Sequence, residues 1–414
     1  MSSDPEGERR ARRAALRRRQ VRRRRATGAA LLAAVAGVGI WAAATLASGG
    51  DEPAATDSTG VLTITDGGTT ATGNEASIAL TAVTGQTTTA PATTAPDLSK
   101  RVTIAWVGDT VLASKYGTPP DAGRRSMGSV VAPVRSADLA FANLEETLSQ
   151  LPDVKCGGSP NCFAFQAPPS YAKLMTAAGF DVMNLANNHA DDFGAAGQRS
   201  TERALRKAGL RWTGRPGQIT VMRREGLRIA LLGFAPYRWA PRLEQIRVAQ
   251  AFVRKAARQA DIVVVAMHAG AEGSGAMHVP HGTETFLGEN RGDSRRFSHA
   301  VVDAGADLVV GSGPHVIRGM ERYHGRLVAY SLGNFAGYKN FGTGGMLSLS
   351  AILSVELRGD GGFVGGRWVS LQLDGNALPH LDPSGASARV VAQLSREDFG
   401  GAAVKVAQDG TLRP

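Results

Sequence analysis

From residue 101 onward, apolar and polar positions alternate in blocks that predict layered α/β structure. Val102-Thr-Ile-Ala-Trp-Val107 is a buried-type strand that runs into Gly108-Asp109. Further strands are predicted at 138–142, 181–185, 227–233, 262–266 and 307–310, and helices at 169–179, 195–208, 243–260 and 294–304. Short apolar runs separated by helical stretches point to a sheet buried on both faces. After Tyr323 the pattern changes: 327–331, 347–357 and 363–373 read as consecutive strands joined by Gly-rich turns, so the sheets should be mixed. One helix is expected at 387–394. This divides the folded part into a large domain, 101–375, and a C-terminal extension, 376–414. The domain is long enough to bury a sizeable core.

The first hundred residues have no such pattern. Residues 1–25 hold 11 Arg against Asp4, Glu6 and Glu8, a net +8 out of +11 for the whole chain, so the remainder is near balance at +3. A nucleic-acid partner is therefore not expected, because the basic charge is confined to one tail. Residues 26–48 carry no charge, and these 23 residues exceed the roughly 20 that span a bilayer as a helix. Arginines before the run and Asp51-Glu52 after it predict a single-pass anchor in the cell membrane. The N-terminus would be cytoplasmic and the main domain outside. Cleavage as a signal peptide near Thr45-Leu46-Ala47 is the alternative and places the domain on the same side. Residues 49–100 are Thr-rich; 51–100 contain 14 Thr and no aromatic residue. Such a segment cannot bury enough apolar surface to offset its ordering entropy and reads as a disordered stalk.

Polar residues gather where the strands end. Gly108-Asp109 follows the first, Asn143-Leu144-Glu145 the second, Asn187-Asn188-His189 the third; His268 ends a fourth, and Gly311-Ser312-Gly313-Pro314-His315 follows a fifth. In layered α/β folds ligands bind at the carboxyl ends of strands. Carboxylate, amide and imidazole donors together suit a divalent ion such as Mn, Fe or Zn. Each motif alone reads equally as a turn, a helix cap or a satisfied core histidine; their conjunction points to one shared site.

Taken in order, Gly108-Asp109, Asn143-Leu144-Glu145, Leu185-Ala-Asn-Asn-His189, His268, Asp303 through His315 and Tyr330-Ser-Leu-Gly-Asn-Phe335 resemble the CapA (PgsA) family of poly-γ-glutamate capsule biosynthesis proteins. The resemblance covers about 101–375. It implies a calcineurin-like metallophosphoesterase fold, a four-layer αββα sandwich of two mixed sheets with a metal site at the strand ends. It assigns Asp109, Glu145, Asn188, His268 and His315 as metal ligands and His189 as the proton donor to a leaving group. Two departures stand out: Val111 occupies the place two residues after Asp109 where metallophosphoesterases usually carry His, and Ser312 stands where many relatives have His. One or two divalent ions are therefore expected.

Residues 271–293 form a 23-residue stretch holding His278, His281, Glu272, Glu284 and Glu289, read either as a substrate-binding lid or as a solvated loop. Cys156 and Cys162 are the only cysteines, and two neighbouring thiols in a turn-rich extracytoplasmic loop read as a disulfide. The expected function is synthesis, export or anchoring of poly-γ-glutamate or a related anionic envelope polymer, alongside capsule-synthesis membrane proteins. It would be served either by a metal-dependent hydrolase site or by a non-catalytic polymer-binding pocket.

Overall fold

The computed structural model describes residues 96–414, apart from 114–116, 125, 153–154 and 157–161. The basic tail, the apolar run and most of the Thr-rich segment lie outside the described residues. Among those described, no helix is long and apolar enough to cross a membrane.

The chain opens on β1 (Arg101–Val111), α1 (Val131–Arg135) and β2 (Leu139–Leu144), then a short pair, β3 (Thr147–Leu148) and β4 (Gln166–Ala167). Next come α2 (Ala172–Ala178), β5 (Val182–Asn184), α3 (Gly194–Lys207), β6 (Arg211–Thr213), β7 (Thr220–Arg224) and β8 (Leu227–Phe234). Helix α4 (Ile246–Ala257) leads to β9 (Ile262–His268), and a hairpin of β10 (Glu284–Phe286) and β11 (Glu289–Gly292) leads to α5 (Ser294–Asp303) and β12 (Leu308–Ser312). The rest is β13 (Met320–Tyr323), β14 (Arg326–Ala329), β15 (Asn334–Gly337), β16 (Leu349–Arg358), β17 (Phe363–Leu373), β18 (Pro379–Leu381), α6 (Ala386–Phe399), β19 (Lys405–Val406) and β20 (Thr411–Arg413).

Two mixed sheets result. One has the order β19-β20-β17-β16-β1-β2-β5-β6, with β15 and β18 pairing to β1 and β17; the other runs β13-β14-β12-β9-β8-β7. In the first sheet β1, β2, β5 and β6 pair in parallel, as does β15 with β1, while β16, β17, β18 and β20 add antiparallel; in the second β8, β9, β12 and β14 are parallel and β7 and β13 close the edges antiparallel. The sheets face each other across one core, where Ile104, Trp106, Leu139 and Phe141 meet Ile229, Leu231, Val264 and Val310. The outer face of the first sheet is covered by α1, α2 and α3 through Val134, Met175 and Leu205. The outer face of the second is covered by α4 and α5 through Val253, Phe297 and Val301. Alternating side chains on a strand thus serve different layers: Trp106 points inward and Val107 outward. Trp106 also donates from Nε1 to the Gly311 carbonyl at 3.2 Å, tying the sheets together near the ends of β1 and β12. Truncating Trp106 to Ala would cost about 3–5 kcal/mol.

The starts of the parallel strands are held by a repeated device. Asp138, Asp181, Asp261 and Asp307 each precede a strand and accept a backbone N–H from the neighbouring strand, those of Thr103, Ala140, Arg228 and Val263, at 2.7–2.9 Å. This satisfies a donor at the sheet end and sets register. It leaves the opposite, carboxyl ends for other chemistry.

The tail shows only one helix to pattern analysis, yet it carries β18, β19 and β20 as well. Helix α6 inserts Ala388, Val391 and Leu394 into the core between the sheets. The hairpin β10–β11 occupies part of 271–293, where a long irregular loop is expected. Its pairing shifts register between Glu284 and Thr285, and its outward residues are polar, so no apolar alternation announces it.

Candidate metal centre

The ends of five strands converge. Asp109 lies near the end of β1, where a Cβ on Gly108 would stand 1.8 Å from the Gly333 carbonyl oxygen; only glycine permits that approach. The Asp109 backbone N–H donates to this same carbonyl at 3.1 Å. Glu145 follows β2, His268 closes β9, and His315 follows β12 with a φ of 58°, a left-handed conformation. Asp109, Glu145 and His268 are fully buried. One ligand atom from each of these three lies within 4.8 Å of the others.

Around this trio the distances are short. His268 Nε2 and His315 Nε2 each stand 3.7 Å from Glu145 Oε1, and His315 Nδ1 stands 3.1 Å from Asp109 Oδ2. Asn143 Nδ2 donates to Asp109 Oδ1 at 2.8 Å, and the Gly313 N–H donates to Asp109 Oδ2 at 3.1 Å. Asn143 is oriented in turn by the amides of Asn184 and Asn187, which donate to its Oδ1. His315 Nδ1 also donates to Asn334 Oδ1 at 2.8 Å. Asn334 therefore fixes a ring of the site.

The electrostatics follow from burial and proximity. Burial acts to raise the Asp109 carboxyl, but the hydrogen bond and charge of His315 outweigh it and hold Asp109 at about 2. Burial, reinforced by the Asp109 charge, pushes Glu145 well above the usual carboxylate range. Burial keeps His268 far below its ordinary value and hence neutral, the form that can ligate a metal. For His315, burial acts downward, but Glu145 and Asp109 prevail and lift it to about 10.

The residues fit a divalent ion. Both oxygens of Glu145 and the Oδ1 of Asn188 are buried without a hydrogen-bond partner. A buried carboxylate left unpaired is costly unless something cationic completes it. A carboxylate pair with a neutral imidazole is a donor set that hard or borderline divalent ions take.

The trio lies behind a cavity of about 570 Å³, lined on its polar side by Asn188, His189, Glu272, Arg291 and His315. Phe163, Phe165, Phe286, Leu287 and Phe341 form much of the rest. His189 Nδ1 is 2.7 Å from Asp192 Oδ2, and its ring lies against Phe165 with centroids 4.1 Å apart. Asp192 also accepts from Lys155 Nζ at 2.6 Å and from the Phe165 N–H at 2.8 Å. Burial lowers His189 and outweighs the upward pull of Asp192. With Nδ1 committed to Asp192, Nε2 is the nitrogen left for proton transfer. Cys162, which lines the cavity, is joined to Cys156 in a disulfide with Cα atoms 5.4 Å apart.

Asp109, Glu145, His268 and His315 thus come together, and Asn188 and His189 line the cavity that His315 also lines. His278 and His281 do not join them. His278 pairs with Asp398 at 2.7 Å, and His281 lies 2.8 Å from Arg295, neither lining the cavity. From the same stretch Glu272, Phe286, Leu287, Glu289 and Arg291 line it instead. Glu284 turns away to clasp Arg318 with both oxygens, at 2.6 and 2.8 Å. Sequence reasoning missed Asp192, which sits three residues after His189 in plain view, and Arg291, which no motif announces.

The fold and the donor cluster together define an α/β protein with a candidate divalent-metal centre at its strand ends. A family model described as bacterial capsule synthesis protein PGA_cap matches residues 103–339, and the chain belongs to this family. It is 28% identical over 254 residues to the PGA biosynthesis protein CapA of Bacillus subtilis (strain 168), covering 56% of this chain and 63% of that protein. It is 28% identical over 266 residues to the capsule biosynthesis protein CapA of Bacillus anthracis, covering 57% and 60%. The chain therefore matches less than two thirds of the length of these relatives. Among solved structures, a 5'-nucleotidase precursor from Thermus thermophilus overlaps 72% of this chain and 59% of its own at 12% identity. Its TM-score of 0.38 is too low to support an argument.

Proposed function

We propose that the protein is a membrane-anchored, extracytoplasmic member of the capsule synthesis machinery that acts on poly-γ-glutamate or a related anionic envelope polymer through a metal-dependent hydrolase-type site. One observation carries the reading: a fully buried Asp109–Glu145–His268 cluster with unpaired carboxylate oxygens, set behind a cavity that also presents a His–Asp pair. Family membership supports the polymer, and the names of both Bacillus relatives point the same way. Two mixed sheets between helical layers, with donors at the strand ends, are what a metallophosphoesterase-like site requires.

Asp109, Glu145 and His268 would hold the ion, with Asn188 and His315 completing its shell. When bound, the ion supplies Lewis acidity at a phosphoryl or acyl oxygen. His189, kept in orientation by Asp192, would exchange a proton with the reacting group at Nε2, serving as the acid only in its imidazolium form, which burial disfavours. Phe165 and Phe341 pack against the rings of His189 and His315 and form an apolar wall beside the polar side.

A second reading, a non-catalytic polymer-binding subunit of a membrane complex, is favoured by one feature: neither Ser312 nor Gly313 adds a strong metal ligand. Turnover decides between them. Metal-loaded full-length protein should hydrolyse a phosphoester or a γ-glutamyl polymer. Polymer binding without any turnover, surviving His189→Ala, would establish the binding role. The anchor is tested on intact cells, where external protease should release a folded fragment beginning near Lys100.

A further inference from the structure

Arg291 stands at the candidate centre with its charge fully inside the protein, at 1% exposure. Its guanidinium is fastened on several sides. Nη1 donates to Tyr237 Oη at 3.0 Å and pairs with Glu272 Oε1 at 2.9 Å; Nε donates to the Gly270 carbonyl at 3.0 Å and Nη2 to the Gly313 carbonyl at 3.2 Å. The same Nη2 lies 3.4 Å from His268 Nε2, on a ligand ring of the trio. Glu272, through its other oxygen, is 3.7 Å from His315 Nε2. Arg291 and Glu272 thus fill the side of the centre where Glu272, His315 and Glu145 could otherwise gather a second ion.

We propose, building on the metal reading above, that Arg291 is a built-in cation that restricts the centre to a single divalent ion. The geometry agrees. Arg291 holds Glu272 Oε1 at 2.9 Å and brings its Nη2 to 3.4 Å from His268 Nε2, so a second divalent ion reaching Glu272 would have to enter beside a fixed, buried positive charge, where such an approach is strongly unfavourable. Ser312, where many relatives have His, places only a hydroxyl at the centre, 3.4 Å from His268 Nδ1.

The test is a calorimetric titration of metal-stripped, full-length protein with Mn2+ or Zn2+, with bound metal counted by plasma mass spectrometry. Wild type should bind one ion per chain. Arg291→Lys keeps the charge and should also bind one. Arg291→Met frees Glu272 and removes the charge, and should take up a second ion; its unfolding transition is recorded alongside to show that the fold survives. Two ions in wild type would overturn the restriction while leaving the metal reading intact, as would an Arg291→Met protein that folds and still binds one. Binding of no ion to wild type would overturn the metal reading and this inference with it.

Discussion

Glu145 separates a metal centre from a structural cluster more sharply than any other single position. Both of its oxygens are buried with no hydrogen-bond partner, close to Asp109 and Glu272. An unsatisfied buried polar group costs about 1–3 kcal/mol. Replacing Glu145 with Met, which is apolar and of similar length, should therefore stabilise the metal-free protein by about 2 kcal/mol. Metal acts in the opposite sense. An ion present at a hundred times its dissociation constant stabilises the folded state by about 2.7 kcal/mol, and a protein that has lost the ligand gains little of this. The two stability curves should cross: Glu145→Met above wild type in chelator, level with it or below in saturating metal. Each kcal/mol corresponds to about 2 °C in melting temperature for a domain of this size. Denaturant titration with and without chelator gives the same quantities, provided the slopes agree. A Glu145→Met protein less stable than wild type in chelator would refute the reasoning, because Glu145 would then be holding the fold rather than awaiting an ion.

Three further outcomes are expected. His189→Ala should keep its metal and fold but lose roughly 10²–10⁴-fold in turnover, the usual contribution of general acid–base catalysis; loss of bound metal in this variant would mean that His189 is a ligand. Opening the Cys156–Cys162 bridge by paired Ser substitution should destabilise the protein by about 2 kcal/mol, since the closed loop is short, and thiol labelling of unreduced, unfolded wild type should find no free cysteine. Burial, only partly countered by Arg326, lifts Asp307 to about 6. An acid raised in the folded state binds its proton there more tightly than in the unfolded chain. Its contribution to stability is then full below about pH 4 and falls by about 3 kcal/mol as pH rises through about 6. Asp307→Asn should abolish that part of the pH dependence, and equal slopes in the two proteins would show that Asp307 does not cause it.

Much of the fold and site was legible because burial and chemistry coincide along the parallel strands. Each buried run ends abruptly in a polar residue, so Asp109, Glu145, Asn188, His189, His268 and His315 could be placed at one edge from pattern alone. The aspartates that open these strands, Asp138, Asp181 and Asp307, were visible as residues but not as caps, because their partners lie on neighbouring strands. The tail was opaque for a simpler reason. Strands β18, β19 and β20 have 3, 2 and 3 residues, too few for any alternation to register. Arg291 was hidden because no motif surrounds it and its partners Tyr237 and Glu272 lie well before it in sequence. His278 and His281 drew attention as imidazoles near the site in sequence, yet they sit beside Asp398 and Arg295, brought there by α6 and α5, and linear proximity carried no information about that.

The central claim is that Asp109, Glu145 and His268 hold an ion, and the most direct measurement is an anomalous difference map from crystals of the protein grown with Mn2+ or Zn2+. A metal centre requires a peak about 2.0–2.2 Å from an oxygen of Asp109, an oxygen of Glu145 and a nitrogen of His268. That peak should be absent in His268→Ala and present in His189→Ala. A fully metal-loaded crystal with no peak at the trio, or with its only peaks on the surface, would contradict the claim.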